Sequence, residues 1–275
     1  MKQLMEIFSN RKRQVAWTVL IVSGLSVVIA LVESLTSLNV YPYILGSAVV
    51  LLLTLLIFLV LRLLELPDHN TRLYEQVEAL FYLRSVLPDK RYTNLPRMRD
   101  YAASPDFLRV LAEKTMEAKP KLIVEASCGL STIFLSHLLA EHSPETRHFA
   151  LEDSEYYGGL CRERLDPGAL SQVIHAPMKE YSLNGKTWKW YELSQLPEGE
   201  IDMLIVDGPP FHIQLLARYP ALPLLFDRIK PGGLIILDDA ARPDETEIVR
   251  RWAENYHFSS EFINTEKGTT ILTKK

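Results

Sequence analysis

The chain has 275 residues, and its length allows one soluble domain of ordinary size and an additional segment. A formal net charge of −4, without a basic stripe interleaved with aromatic residues, argues against nucleic-acid binding, so no nucleic-acid partner is expected. Two cysteines, Cys128 and Cys161, without CxxC spacing exclude a disulfide framework.

The N-terminal part concentrates its apolar residues in two runs. No charged residue lies between Arg13 and Glu33 or between Glu33 and Arg62, which leaves apolar runs at roughly 15–32 and 40–61. Each run is close to the ~20 residues that a helix needs to cross a bilayer. A signal peptide is disfavoured because a second apolar run follows directly. Two buried core helices joined by so short a turn would be unusual.

Residues 1–65 are therefore predicted to form a cytoplasmic N-terminal stub and a transmembrane hairpin of two helices. Arg11, Lys12 and Arg13 precede the first span and Arg62 follows the second, whereas the connecting loop has no lysine or arginine. The positive-inside rule then places both termini in the cytoplasm. The predicted protein is multi-pass in the inner or plasma membrane, with two spans in the lipid bilayer and the soluble part facing the cytosol.

Residues 66–100 are predicted to form a juxtamembrane helical connector. Asn70 and Thr71 can cap a helix, and residues 88–99 are expected to form a loop. Apolar residues recur at helical spacing and should pack on the following domain, with a partner-binding face as the alternative. These residues are Leu73, Val77, Leu80, Phe81 and Leu87.

Residues 101–275 alternate between predicted strands and helices. Ser104-Pro105-Asp106 is typical of a helix start. The predicted strands are 121–125, 148–151, 172–175, 203–206, 234–237, 259–263 and 269–273. The predicted helices are 132–141, 155–165, 214–229 and 244–256. This order predicts a doubly wound, mostly parallel α/β sheet of seven strands that ends in an antiparallel hairpin.

Ligands of doubly wound sheets bind at the carboxyl ends of the strands. The first strand runs into residues 125–131, E-A-S-C-G-L-S, whose small residues permit a tight turn and close approach to a ligand at a helix N-terminus. The second strand ends in Glu152-Asp153, which can hold ribose hydroxyls. The pattern favours a nucleoside-type cofactor, and the alternative is a plain strand–turn–helix with an incidental acid.

Three other functions of this loop are disfavoured by its residues. A dinucleotide fingerprint requires three glycines, of which one is present, and a Walker A lysine is absent. Residues 129–133 approach the Gly-x-Ser-x-Gly elbow of an α/β-hydrolase, but isoleucine replaces the last glycine. The chain order would allow a triad of Ser131, Asp207 or Asp238, and His257.

Taken together, the strand ends resemble those of class I S-adenosylmethionine (SAM) methyltransferases. Residues 125–131 resemble their first motif, in the variant V-E-x-x-x-G-x-S-T, and Glu152 resembles their ribose-binding acid. Residues 201–210, I-D-M-L-I-V-D-G-P-P, and 231–239, P-G-G-L-I-I-L-D-D, resemble their fourth and fifth strands with acidic exits. The resemblance extends from about residue 101 to the C-terminus.

Within this superfamily the chain is most similar to a bacterial, membrane-anchored O-methyltransferase-like group, with S-P-D before the first strand and A-R-Y-P-A-L-P-L-L after the fourth. The resemblance implies a Rossmann-like fold, SAM as cofactor and an EC 2.1.1 activity. Ser127 and Ser131 stand where glycine is usual, and a serine hydroxyl could bond the cofactor carboxylate. The implied cofactor-binding residues are Glu125, Ser127, Gly129, Ser131, Glu152, Asp153 and Asp207.

Asp207, Asp238 and Asp239 resemble the carboxylates that hold a divalent cation in catechol- and sugar-type O-methyltransferases. Mg²⁺ would position and acidify a substrate hydroxyl. Alternatively, Asp207 contacts the cofactor or orders its own loop, while Asp238 and Asp239 cap the next turn. Three acids in one place repel one another unless a cation lies among them, and Arg218 and Arg242 are the local candidates for that cation.

The catalytic candidates are Asp207, Asp238 and His212, because each could remove a proton from an acceptor. The predicted function is that of a membrane-anchored, SAM-dependent methyltransferase that O-methylates a small-molecule, glycan or envelope-precursor acceptor. Two alternatives stay open, a catalytically inactive methyltransferase-fold binding or scaffold protein at the membrane and an α/β-hydrolase-like enzyme. An aromatic wall near adenine or a packed β-turn is expected at Trp188, Trp190 and Tyr191.

Overall fold

A computed structural model describes residues 41–98 and 102–275, together with a few positions between 24 and 34. The first predicted span, at about 15–32, falls almost entirely outside the described residues. The chain divides into two compact units, Met1–Tyr74 and Glu75–Lys275.

Helix α1, Tyr41–Val86, contains the apolar segment of the first unit. Within the described residues, Ile44–Leu61 is the one segment long and apolar enough to cross a membrane, and none of it is buried. It coincides with the second predicted span. The first predicted span lies mostly outside the described residues, so the two-span hairpin stays a prediction. The backbone stays helical through Asn70 and Thr71, so the predicted cap there is wrong. The helix also continues through Pro67, three residues before Asn70.

The described residues of the second unit form nine strands, six further α-helices and a 3₁₀ turn at Phe226–Arg228. The strands are β1 Leu122–Ala126, β2 Arg147–Glu152, β3 Leu170–His175, β4 Met178–Leu183, β5 Lys186–Tyr191, β6 Ile201–Val206, β7 Ile229–Leu237, β8 Phe258–Ile263 and β9 Thr269–Lys274. The helices are α2 Asp89–Thr93, α3 Pro105–Ala118, α4 Leu130–His142, α5 Glu155–Arg162, α6 Ala221–Leu225 and α7 Pro243–Asn255.

Seven of these strands form one sheet in the order β3-β2-β1-β6-β7-β9-β8. The first five strands of this order are parallel, whereas β9 pairs antiparallel with β7 and β8 pairs antiparallel with β9. The mostly parallel seven-stranded Rossmann-like sheet and its C-terminal hairpin are therefore confirmed. In the hairpin turn, Gly268 has a φ of 75°, and a Cβ there would lie 2.6 Å from the backbone nitrogen of Ala241.

Both faces of the sheet are covered, as expected for a parallel sheet. β1 and β6 are buried along their whole length, and their residues alternate between two hydrophobic clusters. One cluster joins β1 to α3 and α4, and it also takes in Leu83 and Leu87 from the end of α1. Val77 and Phe81 are exposed, so the prediction that they pack on the domain is wrong. The buried face of α1 lies instead on Ala79, Leu83 and Leu87.

Two regions differ from the predicted elements. The segment predicted as one helix, 214–229, contains only the short α6 and a 3₁₀ turn, because Pro220 and Pro223 lack the backbone donor that a continuous helix needs. The predicted loop 88–99 contains α2. The β4–β5 hairpin, a separate two-stranded sheet, was not predicted. Its turn residues Asn184 and Gly185 have φ of 50° and 72°, as a two-residue hairpin turn requires.

Candidate active site at the carboxyl ends of the strands

Glu125, at the end of β1, supports the following loop from below. Its carboxylate accepts a hydrogen bond from Ser131 Oγ and one of 2.7 Å from Thr132 Oγ1, and it lies 3.2 Å from His148 Nε2. The residue is 1% exposed. Because three side chains enclose the carboxylate, Glu125 shapes the loop and the start of α4. Its role as a direct ligand of the cofactor stays a prediction.

The two serines of the loop have different roles. Ser131 is buried and donates its hydroxyl proton to Glu125, so it cannot at the same time donate that proton to a cofactor carboxylate. The described contact of the Ser131 hydroxyl is with Glu125, and its contact with the cofactor stays a prediction. Ser127 has a φ of 86°, in the left-handed region that favours glycine. Its N–H donates to the carbonyl of Leu151 at 2.9 Å, which ties the loop to β2.

Gly129 lies next to open space at the start of α4. A Cβ built on Gly129 would have no described atom within 4 Å. The Gly129 N–H donates to Thr132 Oγ1 at 3.1 Å, which fixes the backbone beside that space. A helix N-terminus with open space in front of it can accept a polar or anionic ligand.

Glu152 ends β2 beside this loop. Its carboxylate accepts the N–H of Cys128 at 3.1 Å and the N–H of Ser154 at 3.0 Å. Burial raises the pKa of Glu152, and the two backbone hydrogen bonds act against that shift. A carboxylate has about four acceptor positions, so two remain for other donors. Asp153 follows, half-buried, with its carbonyl 3.2 Å from His175 Nε2.

Gly208 lies where the exits of β1 and β6 approach each other. A Cβ on Gly208 would lie 2.5 Å from the hydroxyl of Tyr191 and 2.6 Å from Cβ of Ser127. Only glycine permits this approach. The Tyr191 hydroxyl is buried, and burial, with the nearby charges of Glu152 and Asp153, raises its pKa well above the usual value.

Asp207, Asp238 and Asp239 converge at the exits of β6 and β7, with carboxylate oxygens within 4.8 Å of one another. Arg218 lies among them. Its Nη2 donates to Asp239 Oδ2 at 2.6 Å and to Asp207 Oδ1 at 3.2 Å. Its Nε lies 3.7 Å from Glu245 Oε1. Arg218 therefore provides the cation that was predicted to lie among the three acids.

The charges of this acid cluster are not fully balanced. Arg242 Nη2 approaches Asp239 Oδ1 at 2.8 Å but not along a hydrogen-bond direction. Both carboxylate oxygens of Asp238 are buried and have no hydrogen-bond partner among the described residues. Burial first, then the charges of Asp207 and Asp239, raise the pKa of Asp238. Burial raises the pKa of Asp207 to about 6, while Arg218 acts in the opposite direction.

A divalent cation does not fit this cluster as it is arranged. Mg²⁺ needs near-octahedral oxygen ligands at about 2.0–2.1 Å. The guanidinium of Arg218 already lies between the oxygens of Asp207 and Asp239 that such an ion would use. The structure therefore does not support the predicted Mg²⁺ site formed by Asp207, Asp238 and Asp239.

Two further candidates, His212 and His257, have no described contact with the converging acids. His212 is exposed, and its ring packs edge-on to that of Phe211 with 6.1 Å between centroids. His257 immediately precedes β8, and its carbonyl accepts the N–H of Lys275 at 3.1 Å. Since Lys274 also bonds the carbonyl of Ile229, at the start of β7, His257 lies at the opposite edge of the sheet from Ser131. The hydrolase triad is therefore wrong.

The predicted aromatic residues form part of the core. Trp190 and Tyr191 are fully buried, and Trp188 stacks on Tyr219 at 4.7 Å between centroids. These three aromatic side chains therefore pack in the core, and the Tyr191 hydroxyl lies next to Gly208. Glu245 was not predicted, because an acid in the first turn of α7 is an ordinary preference of helix N-termini. Only its spatial proximity to Arg218 identifies it.

No protein-family model matches the sequence, and no curated protein matches it. Solved structures of methyltransferases are similar to the chain. An O-methyltransferase from Bacillus cereus, in complex with SAH, is 16% identical over 72% of this chain and 91% of that one, with a TM-score of 0.47. SAH-bound PaMTH1 from Podospora anserina is 17% identical over 73% and 88%, with a TM-score of 0.49. The O-methyltransferase TomG from Streptomyces achromogenes, in complex with SAM, is 17% identical over 75% and 96%, with a TM-score of 0.47.

Proposed function

We propose that this chain is a membrane-anchored, SAM-dependent methyltransferase that methylates an oxygen of a small-molecule, glycan or envelope-precursor acceptor. One observation carries the proposal. The Glu152 carboxylate is held by the N–H of Cys128 directly beside the open space in front of Gly129. An acid with unused acceptor positions next to an open helix N-terminus suits a ligand that carries both ribose hydroxyls and a carboxylate.

In this proposal the first two strand ends hold the cofactor. Glu152 accepts hydrogen bonds from the ribose hydroxyls, and Gly129 leaves room for the ligand. Ser127 and Asp153 lie in the two adjacent loops and border the cofactor. Glu125 and Ser131 keep the loop in shape through their mutual hydrogen bond. When bound, SAM supplies an electrophilic methyl group, so the protein's contribution is mainly to position the acceptor and remove its proton.

Asp207 is the proposed base. Its side chain is 22% exposed, whereas that of Asp239 is 4% exposed, so Asp207 is the more accessible of the two acids that Arg218 contacts. With a pKa raised to about 6 by burial, it is mostly ionised at neutral pH and can accept a proton from an acceptor hydroxyl. Asp238 and His212 are the alternative bases. Asp238 is 1% exposed, whereas His212 is exposed and has no described contact with Arg218 or the acids.

The membrane anchor is proposed to be the two-span hairpin, with both termini in the cytoplasm. Ile44–Leu61 supports one span by its length and composition. The basic flanks and the uncharged connecting loop support the orientation. A Ser37→Cys variant should react with a membrane-impermeant thiol reagent in intact cells, with the unsubstituted chain as control. Labelling of a cysteine added at the C-terminus would instead contradict this orientation.

Titration of SAM into the full chain in detergent tests cofactor binding. Glu152→Ala should weaken binding by about 10- to 100-fold, because hydrogen bonds to a charged group contribute about 1.5–3 kcal/mol. Glu155→Ala is the matched control, since Glu155 begins α5 nearby and its side chain is 64% exposed. Equal SAM affinity for both folded variants would contradict the proposed cofactor site.

A catalytically inactive binding protein is the second candidate, favoured by the commitment of the Ser131 hydroxyl and of two Glu152 acceptor positions to the protein itself. The two candidates differ in turnover. Incubation of membranes that contain the chain with methyl-labelled SAM should transfer label to membrane-extractable material. SAM binding without label transfer above that of Asp207→Asn membranes would support the binding protein.

A further inference from the structure

Arg218 makes more contacts than the neutralisation of one acid requires. Its Nη1 donates to the backbone carbonyl of Asp238 at 2.7 Å, and its Nη2 donates to the backbone carbonyl of Asp207 at 2.9 Å. These carbonyls end two adjacent strands, β7 and β6. The same guanidinium also bonds the carboxylates of Asp207 and Asp239. Arg218 therefore joins both strand ends and both acids in one group of contacts.

The position of Arg218 is fixed by the segment that carries it. The neighbouring Tyr219 stacks on Trp188, and its carbonyl accepts the indole N–H of Trp252 at 2.9 Å. Upstream, the Gln214 side chain makes hydrogen bonds of 2.9 and 3.0 Å to the backbone of Lys189 in β5. The segment is held at both sides of Arg218, whose side chain is 5% exposed. The position of the guanidinium is therefore fixed by the contacts on both sides of Arg218.

We propose that Arg218 takes the place of a divalent cation in the acid cluster, so that it is a positioning residue for Asp207 and the site works without a metal ion. This deepens the proposed function and rests on it for the role of Asp207. The planar guanidinium has five donors and can bridge carboxylates and carbonyls at fixed angles, which a metal ion coordinated by the same oxygens would otherwise do.

A lysine could not replace it. An ammonium group is a compact charge without the fork that reaches two strand ends at once. The charge alone would therefore leave Asp207 and Asp239 free to separate, and only the guanidinium holds both. This distinguishes a positioning role from simple charge balance.

Titration of MnCl₂ and MgCl₂ into the full chain in detergent, after EDTA treatment and dialysis, tests the proposal. The wild type should bind neither ion stoichiometrically, and its Tm should not change with either ion. Arg218→Met leaves three converging acids without their arginine, and it should lower the Tm and gain a Mn²⁺ site that Asp238→Asn removes again. Arg242→Met, which removes a half-exposed arginine beside Asp239, is the control and should gain no such site.

Arg218→Lys separates charge from geometry. It should bind no Mn²⁺, since its charge remains, but it should show a lower Tm than the wild type. One Mn²⁺ bound per wild-type chain and lost in Asp238→Asn would overturn the proposal, even if Arg218→Met fails to fold. SAM titration of the same wild-type samples separates the two proposals. Absence of SAM binding would contradict the proposed function, whereas the metal titration decides the role of Arg218 independently.

Discussion

The exits of β1 and β2 differ from those of β6 and β7 in how their acids are satisfied. At the exits of β1 and β2, here called the first edge, Glu125 accepts hydrogen bonds from the hydroxyls of Ser131 and Thr132. Glu152 accepts hydrogen bonds from the N–H groups of Cys128 and Ser154. At the exits of β6 and β7, here called the second edge, Asp207 and Asp239 both accept hydrogen bonds from the side chain of Arg218. The first edge is organised by hydroxyl and backbone N–H donors, and the second by the charged guanidinium of Arg218.

This difference separates two kinds of chemistry. Hydroxyl and backbone N–H donors hold the first loop and leave acceptor positions of Glu152 vacant, which suits binding. The second edge keeps unbalanced charge in a buried place, where it costs stability and shifts the pKa of Asp207. Shifted carboxylate pKa values are common at sites of proton transfer. Binding and proton transfer are therefore expected to respond separately to substitution.

The largest expected effect is on proton transfer. Asp207→Asn should lower methyl transfer by about 100-fold or more, because general base catalysis contributes about 10²–10⁴-fold. SAM affinity should stay near that of the wild type, since the first edge is unchanged. Label transfer from SAM and SAM titration measure the two properties. An equal loss of both would show that the two edges do not act separately.

The pH dependence sharpens the same contrast. Because Asp207 must be deprotonated to act as a base, and burial raises its pKa to about 6, methyl transfer should rise as pH increases through about 6. Asp207→Asn should lack this rise. A pH profile of label transfer that is identical in the variant and the wild type would assign the base to another residue.

Gly208 joins the two edges, and its substitution should disturb both. In Gly208→Ala the new Cβ would lie 2.5–2.6 Å from Tyr191 and Ser127. Overpacking of this kind costs about 1–3 kcal/mol of unfolding free energy, and the displaced loop should also weaken SAM binding. Gly159→Ala, in α5, is the control, since a Cβ there would have no described atom within 4 Å. Unfolding and SAM titration that match this control would contradict the close approach.

The sequence could predict the sheet and the first edge because their signals are local. Short apolar runs indicated five strands, and the turn residues 266–268 indicated the final hairpin of two more. The small residues near Gly129 together with Glu152 indicated the loop. The β4–β5 hairpin also had a local signal, the dipeptide Asn184-Gly185, which strongly favours a two-residue turn. Two lysine-containing runs flank this dipeptide.

The second edge could be predicted only in part. The acids were placed correctly because they directly follow β6 and β7. The choice between a metal ion and Arg218 depended on the path of residues 208–220, which was predicted to be partly helical. Proline residues and the contacts of Gln214 with Lys189 set that path instead. Whether Ser131 faced the cofactor or Glu125 depended on side-chain direction, which spacing alone does not determine.

The smallest expected effect concerns the two serines that stand where the resembling family has glycine. In Ser127→Gly, release of the left-handed φ of 86° favours the variant by about 1–2 kcal/mol, and the added freedom of the unfolded chain removes about 0.5–1 kcal/mol of that gain. The net result should be a small stabilisation.

Ser131→Gly should instead destabilise the protein by about 1–3 kcal/mol, because the buried Glu125 loses a hydrogen-bond donor. Thermal unfolding measures both signs. Unchanged SAM affinity in Ser127→Gly would mean that its backbone, and not its hydroxyl, serves the cofactor loop, whereas destabilisation of both variants would show that the hydroxyl of Ser127 is as firmly engaged as that of Ser131.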